Sequence, residues 1–122
     1  MWRDDAHLLD MLLATRKVQE FTRDIAWERF EGDDLIQNAV MRQIQIIGEA
    51  ARKVSPPYRQ EHPDIPWNEI IGMRNRLIHE YFRIVPERVW DVVEKDIPEL
   101  LHLIEPLVPP DETSAGEDSP IS

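Results

Sequence analysis

Apolar residues recur at intervals of three and four along most of this chain, which is the spacing that places them on one face of an α-helix. In the first stretch the repeating positions are Met11, Ala14, Val18, Phe21 and Ile25. No stretch shows the sustained alternation of a β-strand, and the chain has only four glycines to interrupt a helix. The pattern predicts an all-α protein whose first helix runs from Asp4 to Phe30 and is broken at Gly32-Asp33.

A second helix is predicted from about Asp34 to Val54 by a similar apolar stripe. Gly48 lies inside it, although glycine costs about 1 kcal/mol relative to alanine in a helix interior. We therefore expect another helix to cross closely at Gly48. The Pro-rich connection 55–66 follows, with one short turn at Tyr58 to His62.

Two further helices are predicted, from Trp67 to Tyr81 and from Pro86 to about Glu105. Pro98 lies within the last helix and should kink it, because proline lacks a backbone N–H. We predict an up-down bundle of four to five helices over residues 1–108. Residues 109–122 are polar, acidic and rich in Pro, Gly and Ser, so this acidic C-terminal tail is expected to be disordered.

Charge is distributed unevenly along the chain, whose formal net charge is −10. Residues 42–88 hold eight Lys/Arg against six acids, a net of +2, whereas the remaining residues carry −12. This distribution indicates a locally basic working region on an acidic body, which would admit short or single-stranded nucleic acid better than long duplexes. The alternative is that these arginines only pair with neighbouring acids on solvated helix faces.

Several classes of protein are disfavoured by the composition. Cysteine is absent, so disulfides, a thiolate nucleophile and thiolate metal sites are excluded. No apolar run is long enough to span a membrane, and the N-terminus carries charges where a signal peptide would be apolar. We expect a cytoplasmic protein without a membrane association. The histidines lack metal-ligand spacing, so no metal or other cofactor is predicted.

The densest group of polar residues with chemical potential is Arg74, Asn75, Arg76, His79 and Tyr81. Metal-free RNA cleavage uses the ribose 2′-hydroxyl as nucleophile, and it needs a proton carrier and a cation for the phosphate. Histidine, with a reference pKa of about 6.5, suits the first role, and arginine suits the second. Asn75 could support the pair by orienting the phosphate or the imidazole, and Arg76 is a second candidate supporting residue.

The spacing does not by itself bring the two main groups together. On an ideal helix Asn75 and His79 lie nearly one turn apart, but Arg74 and His79 point about 140° apart. The Arg74 side chain could wrap towards His79, the helix could be distorted there, or two chains could combine their motifs. The spacing leaves these three explanations open.

The run IIGMRNRLIHEYFRIVPERVWDVVEKDIPELL resembles the HepT-like members of the HEPN superfamily. Their motif is an Arg, four residues, a His, one residue and a Tyr, which Arg74, His79 and Tyr81 match. The upstream stretch QIIGEAARKVSPPYRQEHPDIPW is similar to the family's second helix and Pro-rich link, so the resemblance covers about residues 5–107.

The resemblance implies a helical-bundle toxin of a two-gene toxin–antitoxin pair. It implies a homodimeric, metal-independent endoribonuclease acting on single-stranded RNA, mRNA or tRNA, with Arg74 and His79 as the catalytic pair in a shared cleft. It also implies a minimal nucleotidyltransferase antitoxin that transfers AMP from ATP to Tyr81. ATP and Mg²⁺ would then be used by the antitoxin and not by this chain.

Two other functions remain open at this point. The chain could be a non-catalytic partner of a nucleotidyltransferase, in which the same cluster presents a nucleotide or substrate. It could also be an interaction bundle in which Arg74 and His79 only stabilise a dimer. RNA binding without cleavage would favour the first, and loss of dimerisation in Arg74→Ala would favour the second.

Overall fold

The computed structural model describes residues 2–79 and 83–109, with positions 2 and 79 described by their backbone alone. The elements in chain order are α1 (Trp2–Thr22), α2 (Trp27–Glu31), α3 (Asp34–Lys53), α4 (Pro56–Glu61), α5 (Trp67–Arg76), β1 (Ile78–His79), β2 (Arg83–Ile84), α6 (Pro86–Asp91), a π-helical turn (Val92–Asp96), α7 (Ile97–Ile104) and a 3₁₀ turn (Glu105–Leu107). The predicted all-α class is confirmed. The predicted tail lies outside the described residues from position 110 onward, as does Tyr81.

The core forms where α1 packs along α3, with α5 packed against α3 and α7 packed against α1. The predicted apolar stripes supply most of it. Fully buried side chains include Met11, Val18, Val40, Ile47, Val89, Ile97 and Ile104. None of the helices within the described ranges combines the length and hydropathy that crossing a membrane requires.

The prediction of one continuous helix from Asp4 to Phe30 was wrong. Helix α1 ends at Thr22, and Asp24 adopts a left-handed backbone conformation with φ of 58°. Aspartate tolerates that region better than most residues, so the chain can turn here without a glycine. The new helix α2 then brings the buried Phe30 to 5.0 Å from Trp90, measured between ring centroids.

Gly48 lies where α3 and α5 touch, which confirms the predicted close helix crossing. A Cβ atom at this position would stand 3.3 Å from the backbone oxygens of both Ile70 and Ile71. The absence of a side chain therefore lets the α5 backbone lie directly on α3. The contact fixes the distance between the outward faces of the two helices.

The prediction that the third helix continues to Tyr81 was also wrong, because α5 ends at Arg76. A short antiparallel hairpin follows, in which Ile78 pairs with Ile84 and His79 with Arg83. The backbone N–H of Val85 donates to the oxygen of Leu77 at 2.9 Å and extends this pairing. His79 is therefore in an extended segment, and the expected one-turn stacking of Asn75 on His79 along a helix does not occur.

Pro98 is accommodated by a change of helix type. Its missing N–H leaves the carbonyl of Glu94 without the usual partner, and the π-helical turn Val92–Asp96 immediately precedes it. The apolar stripe continues through the turn, since Val93, Ile97 and Leu100 are all buried. The helical segment thus stays packed on α1 despite the proline.

Candidate functional site

Arg74 lies on the outward face of α5, half-buried, between two adjoining depressions that it lines together with Gln45. The first has a volume of about 340 Å³ and is completed by Asn38, Met41, Arg42, Ile78 and Ile84. The second has a volume of about 240 Å³ and is completed by Gly48, Glu49, Arg52, Ile71 and Asn75. We call the two together the α3–α5 groove.

Helix α5 is held in place beneath this groove by buried neighbours of Arg74. Ile70 and Met73 are 3% and 4% exposed, and the Gly48 crossing fixes the backbone on the α3 side. The arginine thus projects from a segment whose position is set by packing. A guanidinium on such a support needs little reorganisation to meet a ligand.

The guanidinium of Arg74 makes one long hydrogen bond to a described residue, so its positive charge can meet a ligand. Its Nη1 donates to Oδ1 of Asn75 at the long distance of 3.4 Å. Within the described part of the chain, no carboxylate forms an ion pair with it. Asn75 is itself exposed and lines the second depression, so these two predicted site residues are brought together.

Arg76 lies apart from them. It lines a separate pocket of about 40 Å³ between α5 and α7, and its backbone oxygen accepts a hydrogen bond from Nη1 of Arg88 at 3.1 Å. Asp96 lines the same pocket. The pKa of the Asp96 carboxyl is raised because burial and the neighbouring Asp91 outweigh the favourable charge of Arg76. Arg76 therefore faces an acidic neighbourhood rather than the groove.

The structure places the backbone of His79 beside the site. It follows Ile78 in β1, and Ile78 and its cross-strand partner Ile84 both line the first depression beside Arg74. The strand that carries His79 therefore adjoins the wall of the groove. Tyr81, the predicted modification site, lies outside the described residues.

Several polar groove residues on α3 were not predicted as site residues, among them Arg42, Gln45 and Arg52. The charge distribution of the sequence placed both arginines in the basic region 42–88 but did not predict a function for either. The signal was the spacing of polar positions on the second helix, at 38, 42, 45, 49 and 52, which alternates steps of four and three. That spacing puts all five on one face of α3, opposite the buried stripe.

The groove suits a polyanion better than a metal ion. Among the described residues, its lining includes three arginines and one acid, Glu49, in a chain whose formal net charge is −10. Over residues 2–79 and 83–109, no three His, Asp or Glu side chains gather as a metal site would require. Phosphate oxygens are the acceptors that fixed guanidinium groups bind best.

Comparison with known proteins gives a consistent family match. The family described as "Ribonuclease HepT-like" matches residues 11–107. A "putative RNase" of Methanocaldococcus jannaschii is 40% identical over 82% of this chain and 92% of its own length. A "probable ribonuclease HepT" of Thermococcus cleftensis is 42% identical over 77% of this chain and 86% of its own. No solved structure gives a significant match.

Proposed function

Because the chain belongs to the HepT-like ribonuclease family, we propose that it is a metal-independent endoribonuclease, with Arg74 and His79 as its catalytic pair. The observation that carries the proposal is the placement of Arg74. Its half-buried guanidinium, which forms no ion pair with a described residue, stands in the middle of a basic groove, and the strand of His79 adjoins the wall of that groove. The substrate is single-stranded RNA, either mRNA or tRNA.

The proposed reaction needs only groups of this chain and of the RNA. The ribose 2′-oxygen attacks the neighbouring phosphorus while its proton passes to the neutral imidazole of His79. Arg74 stabilises the negative charge that grows on the phosphate oxygens. The bond from phosphorus to the 5′-oxygen then breaks, and that oxygen takes the proton back from the imidazolium of His79. The products are a 2′,3′-cyclic phosphate and a 5′-hydroxyl.

Cleavage assays test this chemistry directly. Single-stranded RNA and tRNA are incubated with the protein in EDTA, and His79→Ala is compared with His102→Ala, a change of the same kind at an exposed position on α7. We expect His79→Ala to lose at least about a hundredfold in rate and His102→Ala to remain near wild type. Cleavage by folded His79→Ala at the wild-type rate would remove His79 from the mechanism. RNA binding without any cleavage would favour the non-catalytic partner instead.

We further propose that the protein acts as a cytoplasmic homodimer in which two motifs share a cleft. The proposal of a dimer follows the family relationship, and Leu35, which is 80% exposed at the start of α3, offers an apolar position at which to test it. Sedimentation velocity of the wild type and Leu35→Lys tests this assignment. A wild-type protein that sediments as a monomer at all concentrations would contradict it.

The proposed role in the cell is the toxin of a toxin–antitoxin pair, held in check by a minimal nucleotidyltransferase. That antitoxin uses ATP and Mg²⁺ to attach AMP to Tyr81. Added phosphate near the motif would compete with RNA for Arg74. Intact-protein mass spectrometry after incubation with an active transferase tests this step, with Tyr81→Phe as the control. Unchanged wild-type mass would rule out modification at Tyr81.

A further inference from the structure

The outward polar stripe of α3 carries one arginine on each side of Gln45, the α3 residue that lines both depressions together with Arg74. Arg42 lines the depression on one side and Arg52 the depression on the other, while Gln45 lines both. Ten residues of helix separate the two arginines, which corresponds to about 15 Å along the α3 axis. A ligand that touched both would therefore pass Arg74 midway.

Both arginines are exposed, and neither forms an ion pair with a carboxylate in the described part of the chain. Elsewhere arginines are engaged, as in the ion pairs of Arg16 with Glu105 and Arg29 with Asp33. Positive side chains that lack a carboxylate partner and lie along one helix face of a strongly acidic protein attract an extended polyanion to that face.

We propose that Arg42 and Arg52 bind the phosphates that flank the cleaved linkage, so that single-stranded RNA runs along α3 and presents one phosphate to Arg74. This inference rests on the proposed ribonuclease function and adds the path of the substrate. The Gln45 amide, without a hydrogen bond to another described residue, faces both depressions and contacts the strand between the two phosphates. Glu49 on the same stripe opposes binding by its charge.

The geometry favours an extended single strand over a duplex. The groove is formed by one helix face, the neighbouring helix and a pair of two-residue strands, so it has the width of a single nucleic-acid strand and not of a duplex. The acidic remainder of the protein repels the second strand of a duplex. Single-strand binding of this kind depends on backbone phosphates and is strongly dependent on salt.

The test is binding of a fluorescein-labelled, mixed-sequence single-stranded RNA, followed by fluorescence anisotropy at several salt concentrations. Every protein carries His79→Ala, so that cleavage does not interfere. Arg42→Gln and Arg52→Gln are each compared with Arg23→Gln, which removes the same charge from an exposed position outside the groove. We expect each groove variant to weaken binding about tenfold and the control to change it less than about twofold.

The salt dependence supplies a second readout. Each groove substitution should reduce the magnitude of the negative slope of log affinity against log salt by about 0.7, the value for one phosphate contact with a single strand. Glu49→Gln should tighten binding by about threefold. Affinities and slopes of Arg42→Gln and Arg52→Gln equal to those of Arg23→Gln would overturn the proposed path.

Two further outcomes separate this inference from the function on which it rests. If His79-intact protein does not cleave RNA but the groove variants still weaken binding, the path stands and the nuclease proposal fails. If the protein cleaves RNA, and the groove variants bind like Arg23→Gln and cleave like it in versions that retain His79, the path fails alone. Sedimentation of the same variants detects a role in dimerisation, and a loss of binding explained wholly by dissociation would overturn the path.

Discussion

The carboxylate of Asp4 accepts two hydrogen bonds from Ser55, one from its backbone N–H and one from its hydroxyl, each at 2.8 Å. Asp4 is 4% exposed in the first turn of α1, and Ser55 precedes α4, where its Oγ also accepts from the N–H of Tyr58 at 3.4 Å. One carboxylate thus joins the beginning of α1 to the corner between α3 and α4.

Replacing Asp4 with alanine should lower the free energy of unfolding by about 1–3 kcal/mol, because the Ser55 donors lose a buried acceptor. Urea denaturation measures the change. Asp10→Ala is the matched control, since Asp10 is an exposed aspartate of the same helix, and its effect should stay within about 0.5 kcal/mol. Equal losses in the two variants would show that the contact with Ser55 contributes nothing.

The same contact predicts a pH dependence. Burial by itself would raise the pKa of Asp4, but the two hydrogen bonds from Ser55, together with nearby positive charge, outweigh it and lower the pKa from its ordinary value of 3.8. The stabilisation is therefore present above the unfolded-state pKa and is lost as the pH falls through the lower folded-state pKa.

Unfolding measured from about pH 7 down to about pH 2 should show this loss. The difference in stability between wild type and Asp4→Asn should be constant near neutrality and should shrink at the acidic end. Other carboxylates, such as the Asp33 side chain that caps α3, titrate in both proteins and cancel in the difference. A difference that persisted unchanged at the lowest pH would contradict the assignment.

Two glycine-to-alanine substitutions should act in opposite directions. Gly72→Ala should stabilise the protein by about 0.5–1 kcal/mol, because a Cβ there meets no described atom outside its own helix within 4 Å and the helix gains from losing a glycine. Gly48→Ala should destabilise it by about 1–3 kcal/mol, since its Cβ must displace the α5 backbone. Thermal unfolding compares the two variants. Stabilisation by Gly48→Ala would show that the crossing of α3 and α5 can accommodate a methyl group.

Gln37 provides a prediction for the short helix α2. Its buried side-chain amide donates to the backbone oxygens of Phe30 at 2.9 Å and Glu31 at 3.0 Å. Gln37→Leu should cost about 1–3 kcal/mol of unfolding free energy, because both carbonyls lose this donor. Gln60→Leu, at an exposed position on α4, is the control and should be nearly neutral.

The proposed chemistry predicts different kinetics for two neighbouring arginines. Arg74→Gln should lower kcat by about a hundredfold or more, because a fixed donor to the reacting phosphate is lost. Arg76→Gln should lower it less than about tenfold, since Arg76 lines a pocket on the other side of α5. Steady-state cleavage of a labelled RNA separates the two, and equal losses would place Arg76 in the site after all.

The sequence predicted helix α3 well because its signals are local and agree with one another. The apolar stripe has helical spacing, Asp33 caps the start by accepting from the N–H of Ile36 at 3.0 Å, and two prolines follow Ser55. By contrast, Phe21 and Ile25 keep the helical spacing across the end of α1, so periodicity alone concealed the turn at Asp24.

The arrangement of the motif was less predictable than its residues. The strand pair that follows α5 depends on pairing between Ile78 and Ile84. A search for apolar residues at helical spacing does not detect such a pairing. The β-branched residues at 78, 84 and 85 were the available sign of extended structure. Arg42 and Arg52 lacked a motif altogether, and only the packing of α5 on α3 places them around Arg74.

Helix α3 divides its residues between two independent tasks. Val40, Ile44, Ile47 and Ala51 face inward and hold the bundle together. The exposed polar positions 38, 42, 49 and 52 face the solvent and can be exchanged without disturbing the interior. Evolution could therefore change what such a protein binds through substitutions at these four exposed positions. An engineer could likewise diversify them in a library while the bundle keeps its stability.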